Sequence, residues 1–184
     1  MTTADHDERS SDPRSASGYF AIKLDAIETR KLRAERWPAD GESPKWAAHN
    51  RLFEFGLAAL PNSCVGVVVE ATARDDEARR AVSAQFIARY YVADLTKDPT
   101  PPDSGNIEDT AAFIGSLSSE DASDIVNTGV TDITPFIRET FQDISMRLRP
   151  GHRPIFVGSL PSITFKTEDG KVTATVHPVS TDPL

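Results

Sequence analysis

Residues 130–148 read VTDITPFIRETFQDISMRL. Here Val130, Ile133, Ile137, Phe141, Ile144 and Leu148 follow one another at steps of 3, 4, 4, 3 and 4 residues, a single apolar stripe at helical period. A helix this amphipathic must lie against a second layer of structure, and the rest of the chain has to supply it. Thr134 reads as an N-cap with Pro135 at the first helical position, where a proline forfeits only an N–H that has no partner anyway. Arg147 and Arg149 suit the negative end of the helix dipole, and Pro150 with Gly151 ends the helix.

Upstream, the second layer is written in period two. From Tyr19, Phe20, Ile22, Leu24 and Ala26 alternate with Ala21, Lys23 and Asp25; Ile27 then breaks parity as a β-bulge does, within a long first strand to about Arg36. Leu52 to Leu60 is a further apolar run. From Cys64 to Arg74, Val65, Val67, Val69, Ala71 and Ala73 share one face, and Glu70, Thr72 and Arg74 share the other. Asp75, Asp76 and Glu77 read as solvated turn formers, after which Val82, Ala84, Phe86, Ala88, Tyr90 and Val92 repeat the pattern. Four such strands with short connections predict an antiparallel sheet with one wet face. Between sheet and stripe, Asp98 to Gly105 is a proline-rich break. Asn106 caps a first helical segment through Ile107, Ala111, Ile114 and Leu117, and a second segment carries Ala122, Ile125 and Val126. Downstream, Ile155 to Val157, Leu160 to Phe165 and Val172 to Val176 are extended, with Asp169 and Gly170 marking a tight hairpin. Strands first and helices after predict an α+β domain with helices packed on one sheet face.

The 184 residues, 39% of them apolar, suit one core of ordinary size. Residues 1–18 are too polar to offset their ordering entropy and read as a disordered tail, leaving 19–184 as a single domain with a hairpin extension at 162–177. A net charge of −8 argues against a nonspecific nucleic-acid binder and a polybasic membrane-surface protein. All of that excess falls in residues 94–132, where Asp94, Asp98, Asp103, Glu108, Asp109, Glu120, Asp121, Asp124 and Asp132 face Lys97 alone. That stretch reads as a solvated linker and outer helix face, or as an acidic docking surface. Met1 to Ser17 lacks an apolar signal core, and no apolar run reaches the roughly 18 residues a membrane span needs, so the expected location is cytoplasmic.

Chemistry-bearing motifs are scarce. His6, His49, His152 and His177 fall in the tail or in predicted loops, with no i, i+4 pair for a zinc site, so neither metal nor cofactor is expected. Cys64 is the sole cysteine, in the apolar run Cys64, Val65, Gly66, Val67, Val68, Val69, and reads as a buried thiol without an activating cation. Phosphate-cradling glycine loops and nucleophile elbows do not occur, and the chain is expected not to be an enzyme. Residues 37–49, with Pro38, Gly41 and Pro44, form a connection that holds both tryptophans, Trp37 and Trp46. They either fold back as a lid over the core or line an exposed apolar groove.

Ile133, Thr134, Pro135, Phe136, Ile137, Arg138 and Glu139, followed by Phe141, Asp143, Ile144 and Arg147, resemble the signature of the SecB family of export chaperones, whose main helix opens on a proline, an aromatic, a variable residue, then Arg and Glu. The resemblance extends outward over roughly residues 19–165. Phe20 to Trp46 matches the family's long first strand and crossover loop, Cys64 to Val92 its central hairpin, and Pro154 to Phe165, with Leu160 and Pro161, its return segment.

The resemblance implies an α+β fold with a four-stranded antiparallel sheet and two helices packed on one face, here with a C-terminal β-hairpin where the family has a helix. It implies an ATP-independent chaperone that holds unfolded or nonnative polypeptides in apolar grooves, for protein export or for antitoxin control, as a homotetramer built as a dimer of dimers. By position, the groove residues are Trp46, with Trp37, Phe53, Phe55, Ile155, Phe156 and Leu160, each of these six equally open to a core role. The family docks the translocase motor protein SecA through acidic residues on the exposed sheet face. The matching part of the first strand here, Thr29, Arg30, Lys31, Leu32 and Arg33, is basic, which argues against SecA as a partner. The competing reading is a binding module for a small apolar ligand in a pocket lined by the tryptophans.

Overall fold

The computed structural model describes residues 14–15, 20–49, 51–94, 105–157, 160–168 and 171–177. The remainder of the N-terminal tail, Lys97, the proline-rich break at 98–104 and the Asp169–Gly170 turn lie outside the described residues. Four long strands, β2 (Phe20–Arg36), β3 (Arg51–Leu60), β4 (Cys64–Asp75) and β5 (Arg80–Asp94), form one antiparallel sheet in the order β2-β5-β4-β3. Within the tail, a two-residue strand, β1 (Arg14–Ser15), adds a short rung to the outer edge of β2. The sheet is the expected one, with the first long strand returned to pair with the last.

The parity break at Ile27 is the first of two register shifts on β2, between Leu24 and Ala26 and between Thr29 and Lys31. Each inserts one residue, so that Ile22 and Leu24, then Ile27 and Thr29, then Leu32 and Ala34 all oppose β5 residues of one face, Val92 to Val82. That face is the core: Val65, Val67, Val69, Ala71, Val82, Ala84, Phe86, Ala88 and Tyr90 are buried beneath the helix layer.

Helix α1 (Ile107–Ser116) starts at Asn106, whose Oδ1 accepts from the Asp109 backbone N–H at 2.7 Å. Helix α2 (Ser119–Leu148) corrects the expected boundary: Thr134 does not cap it, and Pro135 lies inside 30 continuous helical residues. Ser118 is the cap, accepting from the Asp121 N–H at 3.0 Å, and Glu120 with Asp121 favours the positive end of the dipole. Pro135 is tolerated because it and Thr131, whose carbonyl loses its partner, are both exposed, so water can satisfy the orphan. Thr134 instead donates from Oγ1 to the Val130 carbonyl at 2.6 Å. The stripe is therefore longer than expected, with Ile125 and Val126 joining Val130, Ile133, Ile137 and Phe141 in one buried row. Gly129 lets this row approach β4, since a Cβ there would lie 2.4 Å from the Val67 Cβ.

The hairpin β6 (Ser162–Glu168) and β7 (Lys171–His177) forms a separate two-stranded sheet, as expected. Asn127 of α2 fastens it as a backbone would, donating to the Ile163 carbonyl and accepting from its N–H, both at 2.9 Å. No described helix is long and apolar enough to cross a membrane.

Candidate functional site

Register places five chain ends together. Arg51 opposes Ala73, Asp75 opposes Arg80, and Arg80 opposes Arg36, so β3 and β5 begin where β2 and β4 end. The end of α2 joins them, since Arg149 donates to the Ala78 carbonyl at 2.9 Å. At this end the chain leaves the helix through a turn at 150–152 and continues across the sheet without regular secondary structure from 153 to 157.

A buried arginine fixes that segment. Arg80 is 0% exposed, and burying an unpartnered guanidinium costs several kcal/mol. Its fork is satisfied by Asp75 at 3.0 Å, by the Ser145 carbonyl at 2.5 Å and by the Arg153 carbonyl. Burial pushes the Asp75 carboxyl up, but the Ala78 N–H, the Arg80 guanidinium and the His152 charge outweigh it and hold its pKa below the usual value. Asp75 forms the turn as expected, its Oδ1 accepting from the Ala78 N–H at 2.9 Å, and is in addition the ion-pair partner of Arg80, while Asp76 pairs with Arg74 at 2.9 Å. Ser145 completes the clamp by accepting from the Ile155 N–H at 2.9 Å.

With Ile155 held, burial alternates along the next two side chains. Ile155 and Val157 turn into the core at 7% and 3% exposure, and alternation leaves Phe156 outside at 72%, the most exposed large apolar side chain described. The Phe156 carbonyl accepts from Arg51 Nη2 at 3.2 Å, which ties it to the start of β3. Phe53 and Phe55 lie further along that strand, half-buried on the helix-facing side, with ring centroids 6.4 Å apart. β3 borders the sheet, and no further strand pairs with it among the described residues. Leu160 is buried in the core.

The tryptophans are on the opposite face. Arg74 donates to the Ala47 and Ala48 carbonyls and folds the 37–49 loop back over the wet side of the sheet, so it covers that side rather than the main core. There Trp37, 8% exposed, packs with Ala47 and Ala81, and Trp46 flanks them. Trp46 Nε1 donates to Glu35 at 3.1 Å, and the Arg33 guanidinium stacks 4.7 Å from its ring. The cavity beside it, about 410 Å³, is lined by Lys31, Arg33, Glu54, Glu70, Thr72 and Ser83 besides Leu52 and Leu32. That lining is too polar for a closed apolar pocket.

The seven groove candidates therefore divide. Phe53 and Phe55 pair along β3, Phe156 stands exposed where its carbonyl joins the start of that strand, Ile155 and Leu160 belong to the core, and Trp37 and Trp46 serve the other face. Sequence reading missed Arg80, although the inward parity of Val82, Ala84 and Phe86, extended back two residues, places a charge in the core. Cys64 is fully buried; burial pushes its thiol pKa up, away from the thiolate. Among the described residues, no three His, Cys, Asp or Glu side chains are grouped to hold a metal.

No protein-family model matches this chain, and no curated protein does. Among solved structures, it is similar to a SecB-like chaperone of Mycobacterium tuberculosis in complex with a ChAD peptide from the HigA1 antitoxin. The two share 20% identity with a TM-score of 0.46, over 76% of this chain and 87% of the other.

Proposed function

We propose that this protein is an ATP-independent holding chaperone that takes extended, nonnative polypeptide along the β3 border. The observation that carries the reading is Phe156, held at 72% exposure by a buried clamp beside a strand edge whose outer side is unpaired among the described residues. An exposed aromatic next to an unpaired strand edge offers apolar surface and backbone partners together, as a groove that grips extended chain requires. An unfolded client can add backbone hydrogen bonds to β3 while its apolar side chains meet Phe156, Phe53 and Phe55. Because the protein binds unfolded chains preferentially, it delays their folding or aggregation by mass action, without chemical turnover.

The proposal extends to a cytoplasmic homotetramer serving preproteins or an antitoxin. The basic wet-face residues Lys31 and Arg33 argue against docking of SecA there. The test is dilution of a chemically unfolded client into buffer with a stoichiometric amount of this protein, followed by light scattering. Suppressed scattering without nucleotide is expected. Scattering unchanged from the client alone overturns the reading.

A further inference from the structure

Around the corner from Phe156, at the same end of the molecule, a cavity of about 390 Å³ is lined by Arg36, Trp37, Pro38, Ala39, Arg79 and Arg149. Its size falls in the roughly 300–1,000 Å³ range of ligand sites. Three arginines line it and no carboxylate does. Of the acids next to it in sequence, Asp75 pairs with Arg80 and Asp76 with Arg74, while Asp40 and Glu77 are exposed. Among the described residues, none of the three arginines is in an ion pair, and the Arg149 guanidinium donates to the Ala78 carbonyl. The cavity is also built, because the Trp37 N–H donates to the Arg79 carbonyl at 3.1 Å and locks the end of β2 to the β4–β5 turn.

Like charges gathered without a counter-charge repel one another, and an anion relieves the repulsion. Guanidinium forks match carboxylates in geometry as well as charge. We propose that this cavity binds the carboxylate side chains of an acidic segment flanking the apolar stretch of a client. The proposal rests on the client reading above and adds the chemistry of the client's flank. Phe156 is seven positions on from Arg149, a separation of at most about 25 Å, so the acidic run lies within about seven residues of the apolar one.

The test uses two fluorescent synthetic peptides with the same apolar centre, one flanked by Glu-Asp-Glu and the other by Gln-Asn-Gln, titrated into the full chain. The wild type should bind the acidic peptide roughly tenfold more tightly at low salt, in line with a few exposed ion pairs, and lose the preference at high salt. The double variant Arg36→Gln, Arg79→Asn, which keeps only Arg149, should lose most of that preference and leave the affinity for the neutral peptide unchanged. Asn suits position 79 because φ there is +50°, and Arg149 is left in place because it holds the turn. Equal affinities in the wild type, or a preference that survives undiminished in the double variant, overturns the proposal while leaving the client reading intact. Binding of neither peptide overturns the client reading and takes this one with it. Inorganic phosphate that displaces the acidic peptide at comparable concentration overturns the assignment to a peptide; displacement by unlabelled acidic peptide alone supports it.

Discussion

At the residue scale, three side chains at one end of the molecule have different expected costs. Phe156 contributes exposed area, so Phe156→Ser should leave stability to urea within about 0.5 kcal/mol of wild type while weakening client binding. Trp46 is a local structural residue: removing its Glu35 hydrogen bond and its Arg33 stack in Trp46→Ala should cost about 1–2 kcal/mol in the same urea titration. Arg80 is the clamp. Arg80→Ala leaves Asp75 unpaired and frees two carbonyls, and should destabilise by about 3–5 kcal/mol. The pair also sets an acid limit. The Asp75 pKa is lower in the folded protein than its ordinary value of 3.8, so its contribution is fully present above that pH and is lost as pH falls through the folded value. Melting temperatures measured below pH ~4 should therefore fall more steeply for the wild type than for Asp75→Asn.

At the scale of elements, the α2 stripe and the alternating strands were legible because burial repeats at the period of each structure. What escaped was local chemistry that one sequence writes ambiguously. Thr134-Pro135 spells a helix start, yet Ser118 and its acidic first turn spell an equally good one sixteen residues earlier, and packing of Ile125 and Val126 decides for it. Alternation revealed one bulge on β2 but not the second, since the second restores the even numbering that unbroken alternation would have. Gly129 reads as a poor helix residue and proves to be a point of close approach. Gly129→Ala should destabilise by about 1–3 kcal/mol despite better helix propensity, because the Val67 side chain lies within 2.6 Å of the added carbon. Pro135→Ala should stabilise by a similar amount, since the restored N–H can bond the Thr131 carbonyl. Both are read by chemical denaturation.

At the scale of the whole molecule, the net charge of −8 conceals an arrangement in space. Glu108 and Asp109 stand at the start of α1, near the β3–β4 turn that Asn62 ties to Gly105, and Glu120 and Asp121 at the start of α2. Arg36, Arg79 and Arg149 lie at the opposite end of the strands. The acidic location was legible from segment charges; the basic end was not, because its three arginines are 43 and 70 residues apart in sequence and meet only through strand register. The groove residues were legible as a set of aromatics but not as two faces, since only the fold-back of the 37–49 loop separates Trp37 and Trp46 from Phe156. Exposed Leu24 and Leu32 on β2, with Phe136 and Met146 on α2, are further apolar surface that a homotetramer would cover. Light scattering should report the tetramer at micromolar concentration, and a stable monomer would count against it. The most direct measurement compares wild type and Phe156→Ser as suppressors of aggregation of an unfolded client at stoichiometric ratio. The account predicts nucleotide-independent suppression by the wild type and a severalfold loss in the equally stable variant; equal suppression by both, or none by either, would contradict it.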